Sequence, residues 1–159
     1  MKIKFNLSYI IIPLLTVLVG VLGSLSTTIS ITSGWYDTLN KPDLSPPNWI
    51  FGPVWTTIYI LTAISLLIVW NKVKRDTLWK AVIALFTYNA LVNVAWSFTF
   101  FKLGEIGWAL LIATEIWGSV LLLVILLWKR SKIASSLLLP YLLWVSFAIY
   151  LNYAIWTLN

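Results

Sequence analysis

Apolar residues run almost unbroken through five stretches of this chain, 7–31, 49–70, 78–101, 106–128 and 133–157, with short polar breaks between them. Each stretch reaches or exceeds the roughly 20 residues that a helix rising ~1.5 Å per residue needs to cross a ~30 Å hydrocarbon layer. The pattern predicts an all-α membrane protein, a single bundle of five transmembrane helices spanning 1–159. The breaks at 71–77, 102–105 and 129–132 are turns of a few residues, so successive helices run antiparallel. The first break, 33–48, is longer. Met1-Lys2-Ile3-Lys4 ahead of an apolar run resembles the start of a secretory leader. The run from Leu7 is too long for that, however, and Gly23-Ser24 lies well inside it, so it reads as the first membrane helix.

Composition sharpens this reading. Of 159 residues, 60% are hydrophobic and 10% charged, against about 25% charged in soluble domains. The net charge of +6 would suggest nucleic acid in a soluble protein, but here the cations sit between apolar runs. One side of the bundle collects Lys2, Lys4, Lys72, Lys74, Arg75, Lys80, Lys129, Arg130 and Lys132. The other has Lys41 and Lys102 beside Asp37, Asp43 and Glu105. Positive charge stays on the cytoplasmic side, which predicts the N-terminus in the cytoplasm, the C-terminus outside, and no nucleic-acid partner. Cysteine and histidine are both absent. No disulfide, thiol chemistry, metal site or resident cofactor is expected.

Of the eleven tryptophans, Trp49, Trp108 and Trp156 at one set of span ends and Trp70, Trp79 and Trp128 at the other read as interfacial belts. Trp55, Trp96, Trp117 and Trp144 lie deeper. Polar residues gather in the outer halves of the spans, at Asn89, Asn93, Glu115 and Asn152, while the inner halves are aliphatic. Helical spacing sorts these residues into stripes: Phe51, Trp55 and Tyr59; Asn89, Asn93, Trp96 and Phe100; Trp108, Ile112 and Glu115; Trp144, Ala148 and Asn152. Amides often join membrane helices to one another and aromatics fill cores. Four stripes at matching depth predict instead an aromatic, partly polar pocket open to the outer side. Glu115, with no intramembrane cation to pair with, is expected to bond to Asn or Trp neighbours or to be protonated. Gly20-x-x-x-Ser24 and Ala109-x-x-x-Ala113 permit close helix approach, within the chain or in a homodimer.

The first loop carries Trp35-Tyr36-x-x-Leu39-x-Lys41-Pro42-x-x-x-Pro46-Pro47, then Phe51-x-Pro53-Val54-Trp55-Thr56-x-x-Tyr59. Its prolines stiffen it and its aromatics need apolar cover, so it should lie over the outer mouth as a lid. With Asn93-x-x-Trp96-Ser97-x-x-Phe100-Phe101 and Pro140-Tyr141-Leu142-x-Trp144-Val145-x-Phe147-Ala148, these runs resemble the translocator protein family. Its members are also called tryptophan-rich sensory proteins, TspO/MBR proteins or peripheral-type benzodiazepine receptors.

The resemblance implies a receptor or carrier for porphyrins, sterol-like lipids and other hydrophobic small molecules, with porphyrin as ligand rather than cofactor. Its pocket residues map onto Ser26, Tyr36, Pro46, Phe51, Trp55, Tyr59, Asn93, Trp96, Trp144 and Ala148. It also implies an alternative, light- and oxygen-dependent porphyrin breakdown involving Trp55 and Trp144, although no nucleophile–base pair or other conventional catalytic set appears. The family's sterol motif needs a basic residue soon after the helix-five tyrosine, and none follows Tyr153. Minimal loops and the lack of a targeting extension lead us to expect a bacterial-type plasma membrane.

Overall fold

The computed structural model describes residues 6–159, so Lys2 and Lys4 of the charge argument lie outside the described residues. The helices are α1 (Ser8–Thr32), α2 (Trp35–Thr38), α3 (Phe51–Lys72), α4 (Thr77–Ser97), α5 (Ile106–Trp128), α6 (Lys132–Ser136) and α7 (Leu139–Leu158). A 3-10 turn at Asn48–Ile50 leads into α3, and a π-helical turn at Phe98–Lys102 ends α4. Five helical stretches are long and apolar enough to cross a membrane, and no strand occurs among the described residues.

Three details differ from the expected spans. The fifth is broken, because Pro140 at the start of α7 cannot continue a helix from α6, and Ser131 caps α6 by accepting from the Ala134 N–H. The third ends in the π turn, closed by Leu103 N–H donating to the Phe98 carbonyl. The lid is not wholly irregular. Gly34, at φ +76°, turns the chain out of α1 into the short helix α2, a conformation glycine adopts at little cost.

The main core lies toward one end of the bundle, where Val69 of α3, Val82 and Phe86 of α4, Val120, Leu123 and Leu127 of α5, and Leu138, Tyr141 and Val145 are buried together. α5 is the central helix, packed on α4, α6 and α7, whereas α1 is peripheral and leans on α3, α4 and the π turn. Ala109 and Ala113 are buried within the chain, so that small-residue pattern serves internal packing.

Polar links fix both ends. At one end Asn71 bonds Asn6 and Ser8, joining α1 to α3. Arg130 pairs there with Asp76 at 2.8 Å, joining the α3–α4 and α5–α6 connections. Arg75 lies over both Trp70 and Trp79. At the other end Asn40 N–H donates to Asn159 Oδ1 and the Asn159 amide returns a bond to the Asn40 carbonyl, both at 3.0 Å, tying the lid to the end of α7. The exposed Trp49, Trp108, Trp128 and Trp156 mark the two rims.

Candidate functional site

Beneath the lid lies a cavity of ≈ 580 Å³. Phe51, Trp55 and Tyr59 reach it from α3, Asn93 and Trp96 from α4, Ala148 and Asn152 from α7, and Tyr36 from the lid. Phe100 and Phe101 both line it although adjacent in sequence; they sit on the π turn, whose wider winding alters the helical phase there. Trp96 stacks on Phe100 at 5.4 Å between centroids, and Trp55 leans on Tyr59 at 5.6 Å. The lid is seated on this cluster through Trp35 against Phe100 and Tyr36 against Phe101. Gly104 lies beneath Trp35 at φ +70°, and a Cβ there would approach the indole to 3.3 Å, so the backbone geometry and the indole both restrict a side chain at that position.

The buried amides form a relay. Tyr59 Oη donates to Asn93 Oδ1 at 2.9 Å, Asn93 Nδ2 to Tyr141 Oη at 2.9 Å, Tyr141 Oη to Asn89 Oδ1 at 3.1 Å, and Asn89 Nδ2 to Ser119 Oγ at 2.8 Å. Ser119 then donates to the Ile116 carbonyl. Trp96 Nε1 is also engaged, donating to Asn152 Oδ1 at 3.1 Å. Asn93 and Trp96 therefore shape the cavity while their hydrogen bonds serve the bundle.

Other donors are uncommitted. Tyr36 Oη, Trp55 Nε1, the Asn48 amide and Ser97 Oγ line the cavity and make no hydrogen bond among the described residues. Burial, and secondarily the neighbouring Asp37, push the Tyr36 phenol above its ordinary 10.0, so it stays protonated and able to donate at neutral pH. Lys41 lies 4.0 Å above the Tyr36 ring and pairs with Asp37 at 3.6 Å.

Three residues singled out in the sequence stand apart from the cavity. Ser26 is buried on another face of α1, Pro46 remains in the lid off the lining, and Trp144 stands behind Phe51, whose ring it meets edge-on at 5.8 Å. Trp144 lines instead a shallower groove of ≈ 490 Å³ between α3 and α7, with Pro53, Pro140 and Phe147. The α5 stripe points away altogether: Trp108 is 66% exposed, and Glu115 is exposed and accepts from Tyr88 Oη at 2.5 Å rather than from Asn or Trp. From α1 the sequence pointed to Ser26, whereas the helix lines the cavity instead with Thr16, Gly20, Gly23, Ser24, Thr27 and Thr28. Their signal was a ladder of small and hydroxyl residues repeating every three or four positions. Among the described residues no cluster of metal-ligating side chains occurs.

The profile of the TspO/MBR family matches residues 11–157. The chain is 42% identical to the tryptophan-rich protein TspO of Archaeoglobus fulgidus over 158 residues, covering 97% of this chain and 99% of that one. It is 37% identical to the tryptophan-rich protein TspO of Chlorobaculum tepidum over 89% of each chain. It is 36% identical to the translocator protein of Homo sapiens, over 79% of this chain and 75% of that protein. A profile matched along nearly the whole chain, on five membrane-spanning helices with an aromatic cavity under a proline-stiffened lid, places this protein in the TspO/MBR family.

Proposed function

We propose that this protein is a membrane receptor or carrier for flat apolar molecules with acidic edges, protoporphyrin-like tetrapyrroles foremost, held in the cavity beneath the lid. The observation that carries the reading is the cavity itself, aromatic on its walls and furnished with free donors toward one end. Its volume falls within the roughly 300–1,000 Å³ of small-molecule sites. A macrocycle would lie against the Trp55–Tyr59 and Trp96–Phe100 faces, and its carboxylates would accept from Tyr36, Asn48 and Trp55. Other hydrophobic small molecules and lipids suit the same apolar walls. The name of the human relative, translocator protein, supports carriage over catalysis. Cations gathered at the opposite end support an extracytoplasmic lid in a bacterial or archaeal plasma membrane.

Quenching of tryptophan fluorescence by protoporphyrin tests the assignment. Ala148 faces the cavity beside Asn152, and Ala148→Leu should fill space that the ligand needs. Affinity should fall at least about tenfold, equivalent to ~1.4 kcal/mol. Equal affinity in wild type and variant would remove the cavity from the function.

A further inference from the structure

The cavity's lining is buried or half-buried wherever it belongs to α4, the π turn, α7 or the lid helix α2. Every exposed lining residue lies on α1 or on the segment 48–60 that opens α3. Val17 is 61% exposed and Ile60 55%, and Val21, Ser24, Gly52 and Thr56 are exposed between them. A residue that both lines a cavity and meets the surroundings marks an opening, and at this depth the surroundings are acyl chains. Among these, Gly52 and Thr56 on α3 and Ser24 on α1 carry small side chains or none. A Cβ on Gly52 would meet nothing within 4 Å.

The ends are closed by comparison. Asn71 ties α1 to α3 through Asn6 and Ser8, and the Asn40–Asn159 pair holds the lid down above Phe100 and Phe101. We infer that apolar ligands pass between bilayer and cavity sideways, through the slot between α1 and α3, while the lid remains seated. A bulky side chain at Gly52 would extend into that slot. The inference rests on the cavity being the binding site and asks of the ligand only that it partition into lipid, the phase in which flat apolar molecules concentrate.

The absence of cysteine allows a test without knowing the ligand. Ala148→Cys places one thiol in the cavity of protein reconstituted in lipid nanodiscs, and membrane-partitioned pyrene maleimide reports its accessibility by mass. Adding Gly52→Phe should slow labelling at least about tenfold. The first turn of α3 accepts phenylalanine more readily than glycine, so the fold should persist, as checked by an unchanged melting temperature. Crosslinking Asn40→Cys to Asn159→Cys beforehand should leave the labelling rate within twofold. Labelling that ignores Gly52→Phe and stops when the lid is crosslinked would overturn the lateral route. A protein that labels as expected but fails to bind protoporphyrin would keep the route and lose the porphyrin assignment.

Discussion

Trp55 and Trp144 are chemically alike and differ in what they can touch. Trp55 faces the cavity with its indole N–H free, whereas Trp144 is screened by Phe51 and its buried Nε1 has no partner among the described residues. Trp55→Phe should therefore weaken protoporphyrin binding several-fold in a fluorescence titration, and Trp144→Phe should leave it within twofold. Were light-dependent porphyrin loss to occur, the same order should hold in a comparison of illuminated and dark samples. Glu115 belongs to a different surface. About nine residues, or ~13 Å, into α5, its carboxyl faces lipid with Tyr88 as its one hydrogen-bond partner among the described residues. Tyr88→Phe should lower the melting temperature in nanodiscs, because it strips the donor from a polar group with no water nearby. Glu115→Gln keeps an acceptor without a charge and should melt at or above the wild-type temperature.

At the scale of the helix, Asp76 has two tasks. Its carboxylate accepts from the Trp79 N–H at 2.9 Å, capping α4, and pairs with Arg130 across the neighbouring connection. The cap bond first, and then Arg130, hold its pKa below the ordinary 3.8. A lowered folded-state value means that this contribution is complete above 3.8 and fades as pH falls through the folded-state pKa. Thermal melts over an acid series should show a loss in wild type that Asp76→Asn lacks. The five spans were legible because lipid demands long apolar runs, and of the α3 and α4 stripes Phe51, Trp55, Tyr59, Asn93 and Trp96 line the cavity. Periodicity says which residues share a face without saying what that face meets. Trp108, Ile112 and Glu115 share a face of α5, and two of the three turn out to be exposed. The glycines and hydroxyls of α1 left no hydropathy signal, so the α1 wall of the cavity was represented only by Ser26, which lies off the lining. The π turn has no composition cue.

Across the whole molecule, the excess of positive charge lies at the end opposite the lid. The connections α3–α4 and α5–α6 carry Lys72, Lys74, Arg75, Lys129 and Arg130, while the lid end balances Lys41 and Lys102 with Asp37, Asp43 and Glu105. Alkaline phosphatase fused after Asn159 should be active in bacterial cells and a green fluorescent protein at the same position dark, as an extracytoplasmic C-terminus requires. The reverse pattern would place the cavity on the cytoplasmic side.

From the cavity inward, every link of Tyr59, Asn93, Tyr141, Asn89 and Ser119 hands its hydrogen in one direction, ending on the Ile116 carbonyl. Such alignment polarises each member in turn, and it leaves the Tyr59 oxygen facing the cavity as an electron-rich lone pair. In the proposed complex a guest's pyrrole N–H would donate to that oxygen. Carboxylates would be turned away from it, toward Tyr36 and Asn48. The sense of five hydrogens would then set which way round a visitor sits.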